Sequence, residues 1–476
     1  MDYSQFLNMV PEATLMLALV IVFFADFALH RSERRQSVLS VLTGALLVCQ
    51  LVPCLLAEPA TAFGGLYVTT PIVNVMKVIL TAGTLIVVIM SQEWLKTMRH
   101  QGEFHLLVVS TLLGMYMMMS SGHFLMFFLG LEMASVPMAC LVALDKLKKT
   151  SAEAAAKYIL TATFSSGVML YGISFLYGAA GTLYFDDMAA RIGATPLTIM
   201  GLVFFFSGLG FKISLVPFHF WTADTYQGAP TPVTGYLSVV SKGAATLTLA
   251  IILMKVFGAM VSYWEPLLYI VIVLSITVAN LFAIRQTELK RFMAYSSISQ
   301  AGYIMLAVMG NSAAGLAALT FYVLVYVVAN MAVFTVISAV EHNGGSTEMS
   351  AYNGLYQTNP KLSLLMTFAL FSLGGIPPFA GMFSKFFVFM AGVGGHEGAP
   401  FWPYFVVFIA LVNTVVSLYY YLLIVKAMYI TKEANPLPTF RNAPSVNLSL
   451  ALCTVGILIF GVCSCIYEWI AQAAAM

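Results

Sequence analysis

Apolar residues in this chain run in blocks of about nineteen, each long enough to cross a hydrocarbon core as a helix. Such blocks predict fourteen spans near 12–30, 38–56, 72–90, 104–120, 123–144, 154–178, 196–220, 231–255, 266–284, 293–310, 314–340, 361–391, 402–429 and 446–470. The connections between them are short and carry most of the charge. Of the 22 Lys and Arg residues, fourteen, from Arg31 through Arg99 to Arg441, follow an odd-numbered span or precede the next even one, and only Arg191 and Lys255 fall opposite. The excess of positive charge in cytoplasmic loops then places both termini on the non-cytoplasmic side. A miscount of one span in the middle would scramble this sorting.

Composition agrees with the pattern. The 476 residues are 60% hydrophobic and 9% charged, where soluble domains carry about 25% charged residues; the mean hydropathy is +0.91. Sixty per cent of this length is about 286 residues, enough for about fourteen helices of about 20 apolar residues and little else. That excludes a nucleic-acid binder, a secreted disulfide scaffold and an enzyme that houses a nucleotide or flavin in its own soluble fold. The expected fold is therefore an all-α integral membrane protein of 14 transmembrane helices, forming a single polytopic domain. The chain begins with Asp2 and Glu12 rather than a basic stretch, and no small-residue cleavage pattern follows the first apolar run, so that run is expected to be a retained helix.

Cys49, Cys54, Cys140, Cys453, Cys463 and Cys465 lack the paired spacing of a zinc or iron–sulfur site and read as packing residues. His30, His100, His105, His123, His342 and His396 are scattered near helix ends, so no metal is assigned. Neither G-x-G-x-x-G nor G-x-x-x-x-G-K-[ST] occurs, and no cofactor is expected within the chain.

Six lysines fall inside spans: Lys77, Lys157, Lys212, Lys242, Lys385 and Lys426. Lys157 and Lys426 at the cytoplasmic boundary, and Lys77 at the other, are close enough to an interface for the ammonium to snorkel into water. Lys212, Lys242 and Lys385, with Glu132, sit many residues from either end of a predicted span. A central charge costs about 2.5–3.5 kcal/mol, so four facing lipid would cost on the order of 10–14 kcal/mol. They are expected to face one another or water. A static ion pair that fixes packing would account for Glu132 and one lysine, but it leaves two lysines without a partner, because Glu132 reads as the only acidic side chain at that depth.

An uncompensated buried lysine gives up its proton more readily than a solvated one, and an approaching carboxylate reverses that preference. Glu132 with Lys212 is therefore the natural toggle, Lys242 the relay and Lys385 the last protonatable station. Pro217 after Lys212, and Gly374, Gly375, Pro377 and Pro378 before Lys385, predict broken helices in the seventh and twelfth spans, since irregular backbone at membrane depth is tolerated where it lines protein or a cavity. Two interrupted spans five apart predict two inverted five-helix repeats, spans 4–8 and 9–13. His219 is a candidate relay near the cytoplasmic mouth, or an interfacial histidine satisfied by backbone or water. Ser238, Ser241, Tyr322, Tyr326 and Asn330 are candidates for ordering water, or equally for fastening helices together.

These residues lie in recognisable runs. PFHFWTADTYQGAPTPVTGYLSVVSK, from Pro217 to Lys242, resembles the central signature of the antiporter-like subunits of respiratory complex I and of their relatives in multisubunit cation/proton antiporters and membrane hydrogenases. EAAAKYILTATFSSGVMLYG, ELKRFMAYSSISQAGY and GGIPPFAGMFSKFFVF are similar to three further signatures of that family. The resemblance implies N-terminal helices over 1–103, a first repeat over 104–257, a second over 264–430 and a last helix over 446–476. It also implies proton translocation through a carboxylate on helix 5, lysines on helices 7 and 8 and a charged group on helix 12, positions matched by Glu132, Lys212, Lys242 and Lys385. Lys157 matches a lysine often present at the start of helix 6.

NADH, FMN, iron–sulfur clusters and quinone would then belong to partner subunits. The implied setting is a bacterial cytoplasmic (inner) membrane, with the lipid bilayer, protons, and other membrane and peripheral subunits, antiporter-like ones included, as partners, and no nucleic acid. The chain ends after helix 14 without the long lateral helix of the largest such subunit, and it carries lysine on helix 12 where the middle one carries glutamate. That leaves the remaining antiporter-like subunit of complex I. The corresponding component of a multisubunit sodium/proton antiporter has comparable length and a similar lysine, and a non-transporting membrane scaffold would keep the same polar residues for packing. Genes for quinone-site and iron–sulfur subunits beside this one would favour the first reading, and a cluster of small antiporter subunits the second.

Overall fold

The structure is a computed structural model that describes residues 3–98, 100–344, 346–394, 401–433 and 436–476; Arg99 and His396 lie outside the described residues. Continuous apolar sequence leaves the backbone no polar partner but itself, so the chain is helical through nearly every apolar block. The helices of nine residues or more are α1 (Val10–Ala28), α2 (Arg35–Leu56), α3 (Pro71–Met90), α4 (Gln101–Met119), α5 (Phe124–Val142), α6 (Lys149–Ala180), α7 (Pro196–Ile213), α8 (Phe220–Gly228), α9 (Thr231–Lys255), α10 (Val261–Ala283), α11 (Leu289–Met309), α12 (Ala313–Gly344), α13 (Pro360–Gly374), α14 (Ala380–Gly394), α15 (Phe401–Tyr429), α16 (Pro444–Val462) and α17 (Ser464–Ala475). Among the described residues, thirteen helices are long and apolar enough to cross a membrane, and α13 and α14 are shorter apolar helices in tandem.

Local sequence sets the ends of these helices. Proline opens α3, α7, α13 and α16, where its missing N–H costs nothing. Thr195 and Thr198 form a reciprocal capping box at the start of α7. A two-stranded antiparallel hairpin, β1 (Ala60–Ala62) and β2 (Tyr67–Thr69), pairs Ala60 with Thr69 and Ala62 with Tyr67 and is the exception to an all-helical chain.

Helices α9, α11 and α12 are buried on almost every side, while α1, α2, α6, α15 and α16 turn large apolar side chains outward, as lipid-facing helices do. α8 packs on α6 and α11, and α14 packs on α12 and α11. The two short half-helices are thus pressed against the most buried part of the molecule.

Both expected breaks are present, and two placements, those of Lys212 and Lys77, depart from the sequence reading for physical reasons. The predicted span 196–220 stops at Ile213, where Ser214 takes a left-handed conformation (φ 69°), and resumes as α8; Lys212 is therefore one residue from a helix end rather than many. The predicted span 361–391 is two helices separated at Gly375 (φ 86°). Lys77 does not snorkel. It is fully buried, with its Nζ 2.7 Å from Oε1 of Glu12, itself only 4% exposed, so Glu132 is not the only carboxylate held inside the molecule. Hydropathy windows cannot find such a pair, because each partner lies in a different helix.

Candidate functional site

A helix that ends inside the molecule leaves four backbone carbonyls unpaired and presents the negative end of its dipole. Two of the candidate lysines occupy such positions. Lys212 lies in the last turn of α7. Lys385 reaches back from α14 to the end of α13, where its Nζ donates to the Gly374 carbonyl at 3.1 Å. The glycine that follows is obligatory on two counts: Gly375 has φ 86°, and a Cβ there would stand 3.0 Å from Cδ of Lys385. Both ammonium groups are buried, Lys212 5% and Lys385 4% exposed.

Lys212 donates to Oγ of Ser135 at 2.8 Å and to the Tyr158 hydroxyl at 3.4 Å. Ser135 is one turn along α5 from Glu132, and its own hydroxyl donates to the Leu131 carbonyl at 2.7 Å. Glu132 is half-buried and accepts from Ser166 at 2.5 Å; among the described residues no ion pair within 4 Å joins it to Lys212. Glu132 and Lys212 each bond a different set of hydroxyls, Ser166 on one side and Ser135 with Tyr158 on the other.

Lys242 follows a π-helical turn, Leu237–Ser241, in the middle of α9. Such wide turns recur at functional sites, because they release backbone groups from the regular ladder. Its Nζ donates to Oγ of Ser297 on α11 at 2.6 Å and lies 5.5 Å from the centre of the Tyr226 ring. The Tyr226 hydroxyl is 3.3 Å from the same Ser297 oxygen. Trp221 stands between Tyr158 and Tyr226, with ring centres 5.1 and 6.4 Å away, so α8 carries an aromatic bridge from the Lys212 pocket to the Lys242 pocket.

Beyond Ser297 the polar line continues on α11 and α12. Gln300, one turn from Ser297, accepts from the Tyr322 hydroxyl and donates to the Tyr421 hydroxyl at 3.2 Å. A small cavity of about 10 Å³ is lined by Gln300, Tyr322, Tyr326, Ser384 and Lys385, about the size of one water position. The ring of Tyr303 covers the Lys385 ammonium at 4.9 Å. Asn330 donates to Ser238 at 2.6 Å. Its Oδ1, the Ser241 and Ser299 hydroxyls and the Tyr326 hydroxyl are buried with no protein partner, which leaves hydrogen-bonding capacity along the track.

A second, open space lies at one face of the molecule. An open vestibule of about 860 Å³ is walled by the connections that follow odd-numbered spans, including Asp145, Lys148, Glu153, Lys157, Asp224, Lys290, Arg291, Glu341 and Arg441. Lys157 is half-exposed there and bridges Glu153 and Asp224 at 2.8 Å each, while Arg291 holds the other Asp224 oxygen at 2.7 Å. His219 is not on the vestibule wall. It is buried at the start of α8 with its ring 4.6 Å from that of exposed Phe220, and its Nδ1 has no partner. Pro217 lies between α7 and α8, and Pro377 and Pro378 lie between α13 and α14.

The structure thus brings Lys212, Lys242 and Lys385 into series through hydroxyls and aromatic rings. Ser135, Tyr158, Tyr226, Ser297, Gln300 and Tyr303 were not singled out by sequence reasoning. Tyr158, Tyr226, Ser297, Gln300 and Tyr303 do lie in the signature runs, which was the available signal; their hydrogen-bond and ring partners come from helices far apart in the chain.

The chain matches known proteins over most of its length. The family described as "NADH:quinone oxidoreductase/Mrp antiporter, TM" matches residues 121–417. NADH-quinone oxidoreductase subunit N of Phocaeicola vulgatus is 57% identical over 480 residues, covering all of both chains. The protein of the same name from Azobacteroides pseudotrichonymphae is 48% identical, covering 99% of this chain and 98% of its own. Among solved structures, a chain of respiratory complex I from Thermus thermophilus with bound aureothin superposes with TM-score 0.78 at 32% identity, covering 95% of this chain and 97% of that one. A chain of the Mrp complex from Dietzia sp. shares the fold at TM-score 0.85 and 20% identity, covering 98% and 97%. Fold and relatives together define a multi-pass membrane protein of the antiporter-like class. Within that class, the chain belongs to the NADH-quinone oxidoreductase subunit N family.

Proposed function

We propose that the chain is the proton-translocating, antiporter-like subunit N of a bacterial NADH:quinone oxidoreductase. In this reading NADH, FMN, iron–sulfur clusters and quinone are handled by partner subunits, and this chain contributes proton movement rather than redox chemistry. The observation that carries it is the series of three buried lysines, each held by neutral oxygens and, among the described residues, without a carboxylate in ion-pair contact. A permanently charged ammonium in such a setting is expensive, whereas Lys212 and Lys242, alternating between ammonium and amine, have hydroxyl partners for both states.

The proposed transfer runs through the hydroxyls beside each lysine and through water between them. A proton leaves one ammonium through the hydroxyl it touches, and that hydroxyl passes its own proton onward, so each hop leaves the hydroxyl neutral. Ser135 and Tyr158 serve Lys212, Ser297 and Tyr226 serve Lys242, and the Gln300–Tyr322–Tyr326 cavity leads to Lys385. Glu132 biases Lys212 by its charge, and Lys157 with Asp224 and Arg291 sets the charge at the vestibule.

Counting α7 with α8, and α13 with α14, as single broken spans gives fourteen, with inverted repeats over 104–257 and 264–430 between the N-terminal helices of 1–103 and the last helix of 446–476. The vestibule faces the cytoplasm of an inner membrane and both termini face away, as the charge of the connections supports. Neighbouring membrane and peripheral subunits of the complex are the partners.

The test is pumping by the assembled complex in proteoliposomes. Lys242→Ala is expected to leave the subunits co-purifying and to lower NADH-driven proton uptake about a hundredfold at the affected step, the scale on which a positioned acid–base group contributes. Wild-type proton uptake per NADH in Lys242→Ala would refute the reading.

A further inference from the structure

A second buried polar network lies at the hairpin end of α1–α4, outside residues 121–417 and outside the lysine track. We propose that its central ion pair, Glu12–Lys77, is an additional proton-exchange station that opens to the face of the molecule opposite the vestibule. The proposal rests on the proton-translocating reading above and extends it to helices that the reading leaves idle.

The pair is more than a packing contact. Lys77 Nζ is 2.7 Å from Oε1 of Glu12, and both side chains are buried. The carboxylate also accepts from the Tyr67 hydroxyl at 3.0 Å and from Ser120 at 3.2 Å. The ammonium faces the Tyr67 hydroxyl at 3.4 Å and Thr69 Oγ1 at 3.5 Å, between the rings of Tyr67 and Tyr116, each 5.6 Å from it. Well-packed apolar residues of similar volume are commonly as stable as a buried ion pair, so stability alone is a weak reason to keep one.

Two hydroxyls join this pair to the outside. A cleft of about 190 Å³ opens between α2, α3 and α17, lined by Cys54, Ala57, Asn74 and Val78 among others. Thr69 donates to Oδ1 of Asn74 at 2.7 Å, and the Tyr116 hydroxyl is 3.2 Å from Sγ of Cys54, so Thr69 and Tyr116 each touch both the cleft wall and the surroundings of Lys77. Inward, the Tyr116 hydroxyl bonds Thr81, and one turn deeper Thr84 and Thr111 face the hydroxyl of Tyr236, Thr111 at 2.8 Å. Tyr236 immediately precedes the π-helical turn that leads to Lys242. Polar groups therefore mark the seam between α3, α4 and α9 from the lysine track to the pair.

The step balances without a co-reactant. Transfer of one proton from the Lys77 ammonium to the Glu12 carboxylate gives amine and carboxylic acid. A proton arriving from the Tyr116 side restores the ammonium, and the acid proton leaves by the Tyr67 and Thr69 hydroxyls to water in the cleft beside Asn74, returning the carboxylate. One proton has then crossed, and the pair is unchanged.

The experiment uses the whole complex in proteoliposomes, with Lys242→Ala as reference. The doubly neutral variant E12Q/K77M removes both charges together, so neither is left unpaired. Coupled turnover is expected to fall about tenfold or more with all subunits retained, since acid–base groups contribute about a hundredfold or more to the steps they serve. Wild-type proton uptake per NADH in E12Q/K77M, with Lys242→Ala defective, overturns this proposal and leaves the function standing; wild-type uptake in both overturns the function as well. If E12Q/K77M fails to assemble, Thr69→Val with Asn74→Leu cuts the link to the cleft while keeping the pair. Lowered proton uptake there supports the station, and normal uptake refutes it.

Discussion

A buried ammonium needs oxygens around it, and in this molecule the oxygens come from unpaired carbonyls and from single hydroxyls. Lys385 uses Gly374 and Lys242 uses Ser297. A hydrogen bond to a charged group contributes about 1.5–3 kcal/mol, so loss of the Ser297 hydroxyl both destabilises the ammonium form of Lys242 and removes its link to Tyr226. Ser297→Ala is expected to slow NADH-driven proton uptake about tenfold, on the scale of about 1.4 kcal/mol, and Ser297→Thr, which keeps the hydroxyl, to restore it. Equal activity of the two variants in proteoliposomes would separate Ser297 from the track. Lys212, Lys242 and Lys385 were legible in the sequence because a charge within an apolar run has a cost that demands explanation. Lys77 was misread, since its distance from a helix end says nothing of Glu12, which comes from another helix and meets it only after packing.

At the scale of elements, the decisive features are two interruptions. Proline and glycine announced them, because a helix cannot continue through Pro217 or through the Gly375–Pro377–Pro378 stretch without losing donors. What the sequence did not give away was the position of each lysine relative to the break: Lys212 precedes its break and Lys385 follows its own, yet both lie at the carbonyl end of a half-helix. The π-helical turn before Lys242 had no sequence signal either, for it arises where α9 is squeezed between α3 and α12. Val240 there lies against Gly83 of α3, whose Cβ, if present, would be 3.1 Å from the valine and 3.2 Å from Val327 of α12. Gly375→Ala combines a left-handed backbone with a methyl against Lys385. It is expected to destabilise the subunit by about 1–3 kcal/mol, seen as a lower thermal midpoint of the solubilised complex together with reduced proton uptake. An unchanged midpoint would mean that the break tolerates a side chain.

For the whole molecule, the two faces differ. One bears the charged vestibule, and the other bears the hairpin and the narrow cleft beside Asn74. The proposed orientation is checked with single cysteines in a background without the native six. Cysteine at Leu147, 97% exposed in the connection between α5 and α6, is expected to react with a membrane-impermeant thiol reagent only in inside-out vesicles. Cysteine at Gly193, where a side chain meets no neighbour within 4 Å, is expected to react only in right-side-out cells. The reverse pattern would invert the assignment of both faces.

The sequence by itself determined that this chain crosses a membrane many times, that two of its helices are broken, and that charged groups inside it need polar partners. Those properties follow from transfer energies and backbone donors, which are local to each segment. Only the tertiary structure decided which oxygens each lysine meets, that Glu132 bonds Ser166 while Lys212 bonds Ser135 and Tyr158, and that Glu12 and Lys77 share one buried site. Such pairings join helices tens to hundreds of residues apart, and no periodicity along the chain encodes which faces of those helices will touch.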